Sequence, residues 1–302
     1  MNDHARFVRM GTPESVLAEA LLILGRCQPG IDIRRVTHAY STILSLYRGT
    51  YPGYQACSTE YHNLAHITST FLALTRLLHG ATLCDEELSS QAMTLSLVAA
   101  LFHDSGYLQT EEDVDGTGAK YTLEHVDRSI AMVSNYALDE GYSYDDLEML
   151  ARMIRCTDLS SDPCGLACGD TPQILGAMVD TADLMAQMAD RAYLEKLLFL
   201  YHEFCEAGID AFDSAIDLLR KTLGFYDMID KRLAPSAEVT DRFLRAHFAE
   251  RWQIEGNPYR EAMDNQRSYL TKILEKDSAM PQKHLRREGI IDEVERRFGE
   301  IN

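Results

Sequence analysis

Basic residues are scarce in this sequence: 29 lysines and arginines face 47 aspartates and glutamates, which gives a formal net charge of −18. A surface of this sign repels nucleic acids and anionic membranes, so we expect neither as a partner. The same charge also repels phosphate esters. If the substrate is phosphorylated, a local positive centre must offset the overall field, and a divalent metal ion is the simplest candidate.

Long apolar runs are also missing. The run from Ala92 to Phe102 is interrupted by Thr94 and Ser96, and it is shorter than the roughly 18 to 20 residues that span a bilayer. The first ten residues, MNDHARFVRM, contain no apolar signal core, and the seven cysteines are an odd and scattered number. We therefore expect no membrane segment and a location in the reducing cytoplasm.

Two motifs that would indicate other metal sites are incomplete. Cys164 and Cys168 form a C-x₃-C pair without a second pair, which favours free loop thiols over a zinc site. The acidic stretch from Gln109 to Lys120 lacks the terminal glutamate and the glycine position of a calcium loop. We interpret that stretch as an irregular loop.

Strand-like alternation is hard to find, whereas helical periodicity runs from end to end, so the fold class should be all-α. Helix starts are expected at Thr12-Pro13, Asp32, Ser143 and Thr171-Pro172, and Pro235-Ser236 should break a helix. After the acidic loop, one helix face should comprise Leu123, Val126, Ile130, Val133 and Ala137. The expected organisation is a single domain over 1–302, with N-terminal helices in 1–58, a metal-binding core in 59–232 and C-terminal helices in 233–302.

Histidines and aspartates recur in an order that suits a metal site. His62 and His66 are four residues apart and share one face of a helix. His103-Asp104 follows an apolar helix, and the Asp180/Asp183 pair interrupts another. A buried carboxylate needs a partner or a metal, and neither aspartate has a lysine or arginine four residues away. The pattern is H…HD…D.

This pattern, preceded by Tyr61-His62-Asn63-x-x-His66, resembles the HD-domain superfamily of metal-dependent phosphohydrolases. The opening motif is most similar to class I cyclic nucleotide phosphodiesterases and to bacterial proteins predicted to be HD phosphohydrolases. The resemblance covers about residues 59 to 205. It implies a compact multi-helix bundle of the HD type, in which His66, His103, Asp104 and one of the two later aspartates bind the metal.

The implied ligand set mixes nitrogen and oxygen donors, which suits Mn, Fe, Co, Ni, Zn or Mg. We prefer Asp183 over Asp180 as the last ligand, because the A-D-L context of Asp183 matches the family. Asp180 would then not bind the metal itself but would accept a hydrogen bond among the residues that surround the ligands. By the same resemblance, Asp104 takes part in catalysis and can bridge to a second ion.

The sequence departs from the phosphodiesterase pattern in two places. Tyr107 stands where the second half of the H-D-x-x-[HD] motif would lie, and no purine-binding glutamine can be assigned. Cyclic nucleotide specificity is therefore not implied. His125 is the only histidine between Asp104 and Asp180, which favours one firmly bound ion and leaves open a second ion bound mostly by water.

The remaining roles follow from position. His62 should lie one helical turn, roughly 6 Å, from His66 and act as general acid, with Tyr61 or Asn63 orienting it. We expect the loop and helix after Asp104 to approach the substrate through Lys120, Glu124, His125 and Arg128.

The function predicted from these roles is hydrolysis of a nucleotide or another small phosphate ester. An HD-type iron oxygenase and a non-catalytic, metal-binding regulatory module are the alternatives. A homodimer is left open.

Overall fold

The computed structural model describes residues 11–27, 29–162 and 170–301. Within these ranges the chain forms eleven α-helices and no strand, apart from two isolated β-bridges, which confirms the all-α class. The helices are α1 (Pro13–Leu24), α2 (Ile33–Tyr47), α3 (Leu64–Leu83), α4 (Ser90–Phe102), α5 (His125–Asp139), α6 (Tyr144–Arg155), α7 (Thr171–Met188), α8 (Tyr193–Glu206), α9 (Ala215–Trp252), α10 (Pro258–Lys276) and α11 (Ile290–Phe298).

The predicted helix starts are confirmed by side-chain caps. Thr12 caps α1 in a capping box with Ser15, and Pro13 occupies the first helical position. Asp32 accepts hydrogen bonds from the backbone of the first turn of α2, and Ser143 does the same for α6. These caps satisfy backbone N–H groups that have no partner within the helix, so short-range sequence signals were sufficient to locate them.

Helices α3 and α4 form the centre of the molecule. Every residue from Ala92 to Phe102 in α4 is buried, and so is nearly all of α3 beyond its first two residues. Helix α3 packs against α1, α4, α7 and α9. Because a helix that is apolar on all sides must be covered on all sides, the residues at the start of α3 and just after α4 lie in the interior. His66 and His103 occupy these two positions.

The predicted break at Pro235-Ser236 is wrong, because α9 runs through Pro235 without ending. Proline in a helix interior removes one hydrogen bond and costs about 3 kcal/mol. Leu233, Ser236 and Thr240, on either side of the proline, are buried, so packing against the rest of the molecule keeps the helix continuous. The expected boundary between residues 232 and 233 therefore falls inside one helix.

Two further expectations are corrected or limited by the structure. Leu123 is 76% exposed and precedes α5, so it does not belong to the buried face of that helix, which contains Val126, Val133 and Ala137. The expectation for Cys164 and Cys168 lies outside the described residues. Cys27, Cys57, Cys84 and Cys205 are free thiols.

None of the helices in the described ranges combines the length and the apolar character that a membrane crossing requires.

Candidate active site

Four side chains from three separate parts of the chain meet at one buried point. His66 Nε2 lies 3.2 Å from His103 Nε2, 3.2 Å from Asp104 Oδ2 and 3.0 Å from Asp183 Oδ1. His103 Nε2 lies 3.3 Å from Asp104 Oδ2 and 3.4 Å from Asp183 Oδ1. The structure thus brings together the four residues that the sequence nominates as ligands, and we refer to them as the His/Asp cluster.

Local hydrogen bonds hold the two imidazoles of the cluster. The Asn63 side chain caps α3 by accepting from the backbone N–H groups of Ala65 and His66, which fixes His66 in the first turn. His103 Nδ1 lies 2.9 Å from the carbonyl oxygen of Ala100. If Nδ1 donates its hydrogen there, the lone pair of Nε2 points into the cluster, which is the tautomer that a metal ligand requires.

The spacing of His66, His103 and Asp104 suits a divalent ion, because one nitrogen or oxygen atom from each lies within 4.8 Å of those of the other two. Two ligands that are each about 2.1 Å from one ion lie about 3.0 Å apart at neighbouring octahedral positions and about 3.4 Å apart at tetrahedral positions. The five separations given above, each of which involves an imidazole nitrogen, span the same interval, from 3.0 to 3.4 Å. Asp183 Oδ1 is buried and accepts no hydrogen bond of suitable geometry from the described residues. Such an orphaned acceptor indicates a ligand that completes the site.

The electrostatics of the cluster also favour a cation. Burial lowers the pKa of His103, but Asp104 and Asp183 outweigh that effect and raise the pKa well above its ordinary value. Burial raises the pKa of Asp104, yet the neighbouring His103 and His66 bring it well below its usual range. The two carboxylates therefore stabilise positive charge between them, whether it is carried by a proton or by a metal ion.

Gln187 is a member of the site that sequence reasoning missed. Its Nε2 lies 3.0 Å from His66 Nε2, and it follows Asp183 by one turn of α7. One imidazole lone pair can either accept a hydrogen bond or bind an ion, so a bound metal would replace this contact. The signal available in the sequence was the four-residue spacing between Asp183 and Gln187, which places both on one helix face.

His62 lies beside the cluster and is held by a buried carboxylate. Its ring centroid is 6.3 Å from that of His66, and its Nδ1 is 2.7 Å from Glu203 Oε2. The other oxygen of Glu203 accepts the backbone N–H groups of Glu60 and Tyr61 at 2.9 and 2.7 Å. Burial lowers the pKa of His62, but Glu203 overcomes this and the net shift is upward.

Tyr107 stacks on the face of the His62 ring, whereas Glu203 binds the Nδ1 atom at its edge. The His62 ring stacks on Tyr107 with centroids 4.3 Å apart and an interplanar angle of 10°. His125 stacks on Tyr107 as well, at 4.7 Å, and its Nε2 lies 3.7 Å from Asp104 Oδ1. Sequence reasoning did not predict this stacking, because it joins residues that meet only in the folded chain.

A cavity of about 430 Å³ opens onto the cluster. His62, Asp104, His125, Asp183 and Gln187 line it. Because Glu203 engages Nδ1 of His62, Nε2 is the nitrogen left to meet a molecule bound there. The candidate ligands and the candidate acid therefore share one space, which is large enough for a small organic molecule.

Three of the four residues predicted to bind substrate do not line this cavity. Lys120 pairs with Asp113 in the acidic loop. Arg128 donates to the carbonyl oxygens of Gly106 and Leu108 at 2.6 and 2.8 Å, and Glu124 is exposed. Lys120 and Arg128 therefore make contacts within the protein, and Glu124 faces solvent. Among the four residues, only His125 lines the cavity.

Asp180 occupies a different environment from Asp183. Both of its oxygens accept from Arg232 Nε, at 3.2 and 3.0 Å, and Arg232 also donates to the backbone carbonyls of Cys156, Asp158 and Ser161. Burial raises the pKa of Asp180 to about 7, although Arg232 opposes the shift. Its cation comes from α9, which the sequence reasoning, limited to neighbours on the same helix, did not consider.

Tyr61 and Asn63 position His62 mainly through hydrogen bonds that involve the neighbouring backbone N–H groups. Tyr61 is buried, and its ring meets that of His62 edge-on at 5.0 Å. Its N–H, like that of Glu60, binds Glu203. Asn63 secures the start of α3 as described. Glu203, which connects these groups, is a buried carboxylate on α8, and the signal available in the sequence was a carboxylate flanked by apolar residues such as Leu200 and Phe204.

Comparison with known proteins gives one partial match. A family model described as Npun_R2479-like matches residues 110–233, which is less than half of the 302-residue chain. The matched part includes His125, Asp183 and Glu203 but not His62, His66 or the His103-Asp104 pair. No curated protein and no solved structure matches the chain. The family description names no activity, so the chemistry must be argued from the site itself.

Proposed function

We propose that the protein is a metal-dependent phosphohydrolase that acts on a small phosphate ester. One observation carries the proposal: a carboxylate-held histidine, His62, faces the same cavity as a cluster of two imidazoles and two carboxylates. The cluster suits a divalent ion, and the histidine suits proton transfer. Hydrolysis of a phosphate ester uses both functions at adjacent points.

His66, His103, Asp104 and Asp183 would hold the ion. When bound, the ion would lower the pKa of a coordinated water molecule and polarise a phosphoryl oxygen. The four protein ligands would leave a coordination position for the substrate on a six-coordinate ion. The mixed donors are compatible with Mn, Fe, Co, Ni, Zn or Mg.

His62 would deliver a proton to the oxygen of the departing alcohol. Glu203 fixes Nδ1 and favours the protonated ring, while stacking on Tyr107 keeps the ring from rotating. The proton available to substrate is then the one on Nε2. After transfer, the neutral imidazole can take a proton from solvent through the cavity. A positioned acid of this kind typically accelerates a reaction by about 10²- to 10⁴-fold.

Metal analysis of the purified protein, followed by a phosphatase screen with added Mn²⁺, tests the proposal. We expect stoichiometric metal and phosphate release in the wild type, and loss of both in His103→Ala. His38→Ala is the matched control, because the side chain of His38 is 54% exposed and lies outside the cavity lining.

Unchanged metal content in His103→Ala would contradict the assignment of the cluster. Stoichiometric metal without phosphate release from any ester would instead favour a regulatory module. Bound iron with oxygen consumption would favour the oxygenase.

A further inference from the structure

The cavity has two chemically different ends. The end at the His/Asp cluster is polar, as described above. The other end is enclosed by α7, α8, the loop between α8 and α9, and the first turns of α9. Its apolar lining includes Leu200, Phe204, Ile209, Phe212, Leu218 and Phe225.

The two polar side chains that α9 contributes to the apolar end are already engaged. Thr222 donates to the carbonyl oxygen of Leu218 within its own helix. Lys221 donates to the carbonyl oxygen of Ala211 and pairs with Asp217 at 2.7 Å. Little hydrogen-bonding capacity therefore remains there among the described lining residues.

The hydroxyl of Tyr193 is a polar group nearer the His/Asp cluster, since Tyr193 also lines a small adjoining pocket with Tyr61, His66 and Gln187. This residue is 1% exposed, lines the cavity, and has no hydrogen-bond partner for its hydroxyl within the described ranges. A buried hydroxyl without a partner indicates a ligand atom that would satisfy it. One hydroxyl can satisfy one oxygen of a bound molecule, whereas a nucleobase or a sugar presents several polar atoms that would lose their hydration without replacement.

Several aromatic and aliphatic side chains that line the cavity at this end are only half-buried. Phe204 and Phe212 stack with centroids 5.8 Å apart, and Leu200 and Ile209 are likewise half-buried. Apolar surface left accessible inside a cavity gains free energy when a hydrocarbon group covers it. This end is therefore complementary to a hydrocarbon, and its polar neighbour is complementary to an anionic head group.

We infer that the substrate is an amphiphile: the phosphate ester of a hydrocarbon alcohol, with the phosphate at the His/Asp cluster and the hydrocarbon between α8 and α9. This inference rests on the proposed function for the identity of the head group. The apolar lining alone specifies the tail. The inference also restricts the substrate class that the sequence predicts. Among the small phosphate esters, the apolar lining disfavours nucleotides.

Binding of alkyl phosphonates, which carry a similar dianionic head group but lack the ester oxygen and the bond that hydrolysis would break, tests the tail without requiring turnover. Titration calorimetry of the Mn²⁺-loaded protein with ethyl, butyl, hexyl and octyl phosphonate should show a Kd that falls about fourfold for each buried methylene. Ethyl and hexyl phosphonate should then differ on the order of a hundredfold. Hydrolysis of the matching alkyl phosphates is measured in parallel, with adenosine monophosphate as the nucleotide comparison.

Two cavity variants and one control locate the effect. Phe212→Ala removes apolar surface from the lining, and Leu200→Asn replaces a half-buried leucine by a polar side chain of similar size. Each should weaken the chain-length dependence while ethyl phosphonate binds as before. Phe298→Ala is the control, since Phe298 is 48% exposed and does not line the cavity. Circular dichroism confirms that each variant is folded.

The outcomes separate the two proposals. Length-dependent binding without hydrolysis of any ester would support the amphiphile site and overturn the phosphohydrolase. Hydrolysis or binding that is independent of chain length would overturn the amphiphile inference and leave the phosphohydrolase standing. Absence of phosphonate binding, or tighter binding of adenosine monophosphate than of octyl phosphonate, would also overturn it.

Discussion

Asp180 and Asp183 lie one turn apart on α7, but their partners differ. The partner of Asp180 suits a structural role, and those of Asp183 suit a functional one. Asp180 is 2% exposed and meets a permanent cation, Arg232. Asp183 lines the cavity and meets the imidazoles of His66 and His103. An arginine keeps its charge at any accessible pH, whereas imidazoles can lose theirs to make room for an ion. Asp180 therefore has a permanent partner within the protein, whereas Asp183 belongs to a cluster that a bound ligand could complete.

The largest expected contrast between the two aspartates is in metal binding. Asp183→Asn should lower metal affinity by at least about 100-fold, because even residues that only support a ligand typically contribute 10- to 100-fold. Asp180→Asn should retain metal within about a few-fold of wild type, because Asp180 binds Arg232 and is hydrogen-bonded to none of the cluster side chains that such supporting contacts act on. Calorimetric titration of both variants with Mn²⁺ makes the comparison. A greater loss in Asp180→Asn would reverse the assignment of the last ligand.

Removing the proposed acid, His62, without changing the His/Asp cluster should separate the proposed catalysis from metal binding. His62→Asn should keep its metal and lose about 10²- to 10⁴-fold in turnover, with the smallest loss for esters of good leaving groups such as nitrophenol. Loss of metal in this variant would make His62 a ligand instead. Unchanged turnover would leave it with a structural role.

Glu203→Gln tests how His62 is controlled. Since the carboxylate of Glu203 raises the pKa of His62, its replacement should lower that pKa. A general acid must be protonated, so the alkaline limb of the pH–rate profile should move to lower pH. A role for Glu203 in folding alone would reduce activity equally at every pH, and the profile distinguishes the two.

The Asp180–Arg232 pair should matter most for stability. Asp180→Ala leaves a buried guanidinium without its counter-ion, and such losses cost about 3 to 5 kcal/mol. The free energy of unfolding should be measured in urea at pH 8, above the pKa of Asp180, which is about 7. The double variant Asp180→Ala/Arg232→Met should recover part of the loss, because it removes the uncompensated charge. A single variant as stable as wild type would show that the carbonyl groups around Arg232 suffice.

The contrast between the aspartates also shows what the sequence could and could not predict. Thr12 and Asp32 could be identified as caps because a cap acts on the next turn of the chain. Pro235 was misjudged because burial of Leu233 and Ser236 against distant helices decides its effect. The order of the residues in the His/Asp cluster was visible as a pattern of residue types. Glu203 and Arg232 were not assigned to the site because each meets its partner only after the chain has folded.

The smallest expected effect concerns the loop residues that sequence reasoning placed near the substrate. In Lys120→Ala and Arg128→Ala, KM for a phosphate ester substrate should stay within about twofold of wild type. The reason is that Lys120 pairs with Asp113 and Arg128 donates hydrogen bonds to two backbone carbonyls. Neither side chain lines the cavity, and a difference of twofold corresponds to only about 0.4 kcal/mol in binding free energy.

Arg128→Ala should nevertheless lower Tm, since it frees the segment that follows Asp104. His125→Ala is the positive control for the same assay, because its ring lies in the cavity and on Tyr107, and it should raise KM. If Lys120→Ala raised KM as much as His125→Ala does, the acidic loop would have to move toward the bound substrate, and the substrate would contact both the cavity and the loop.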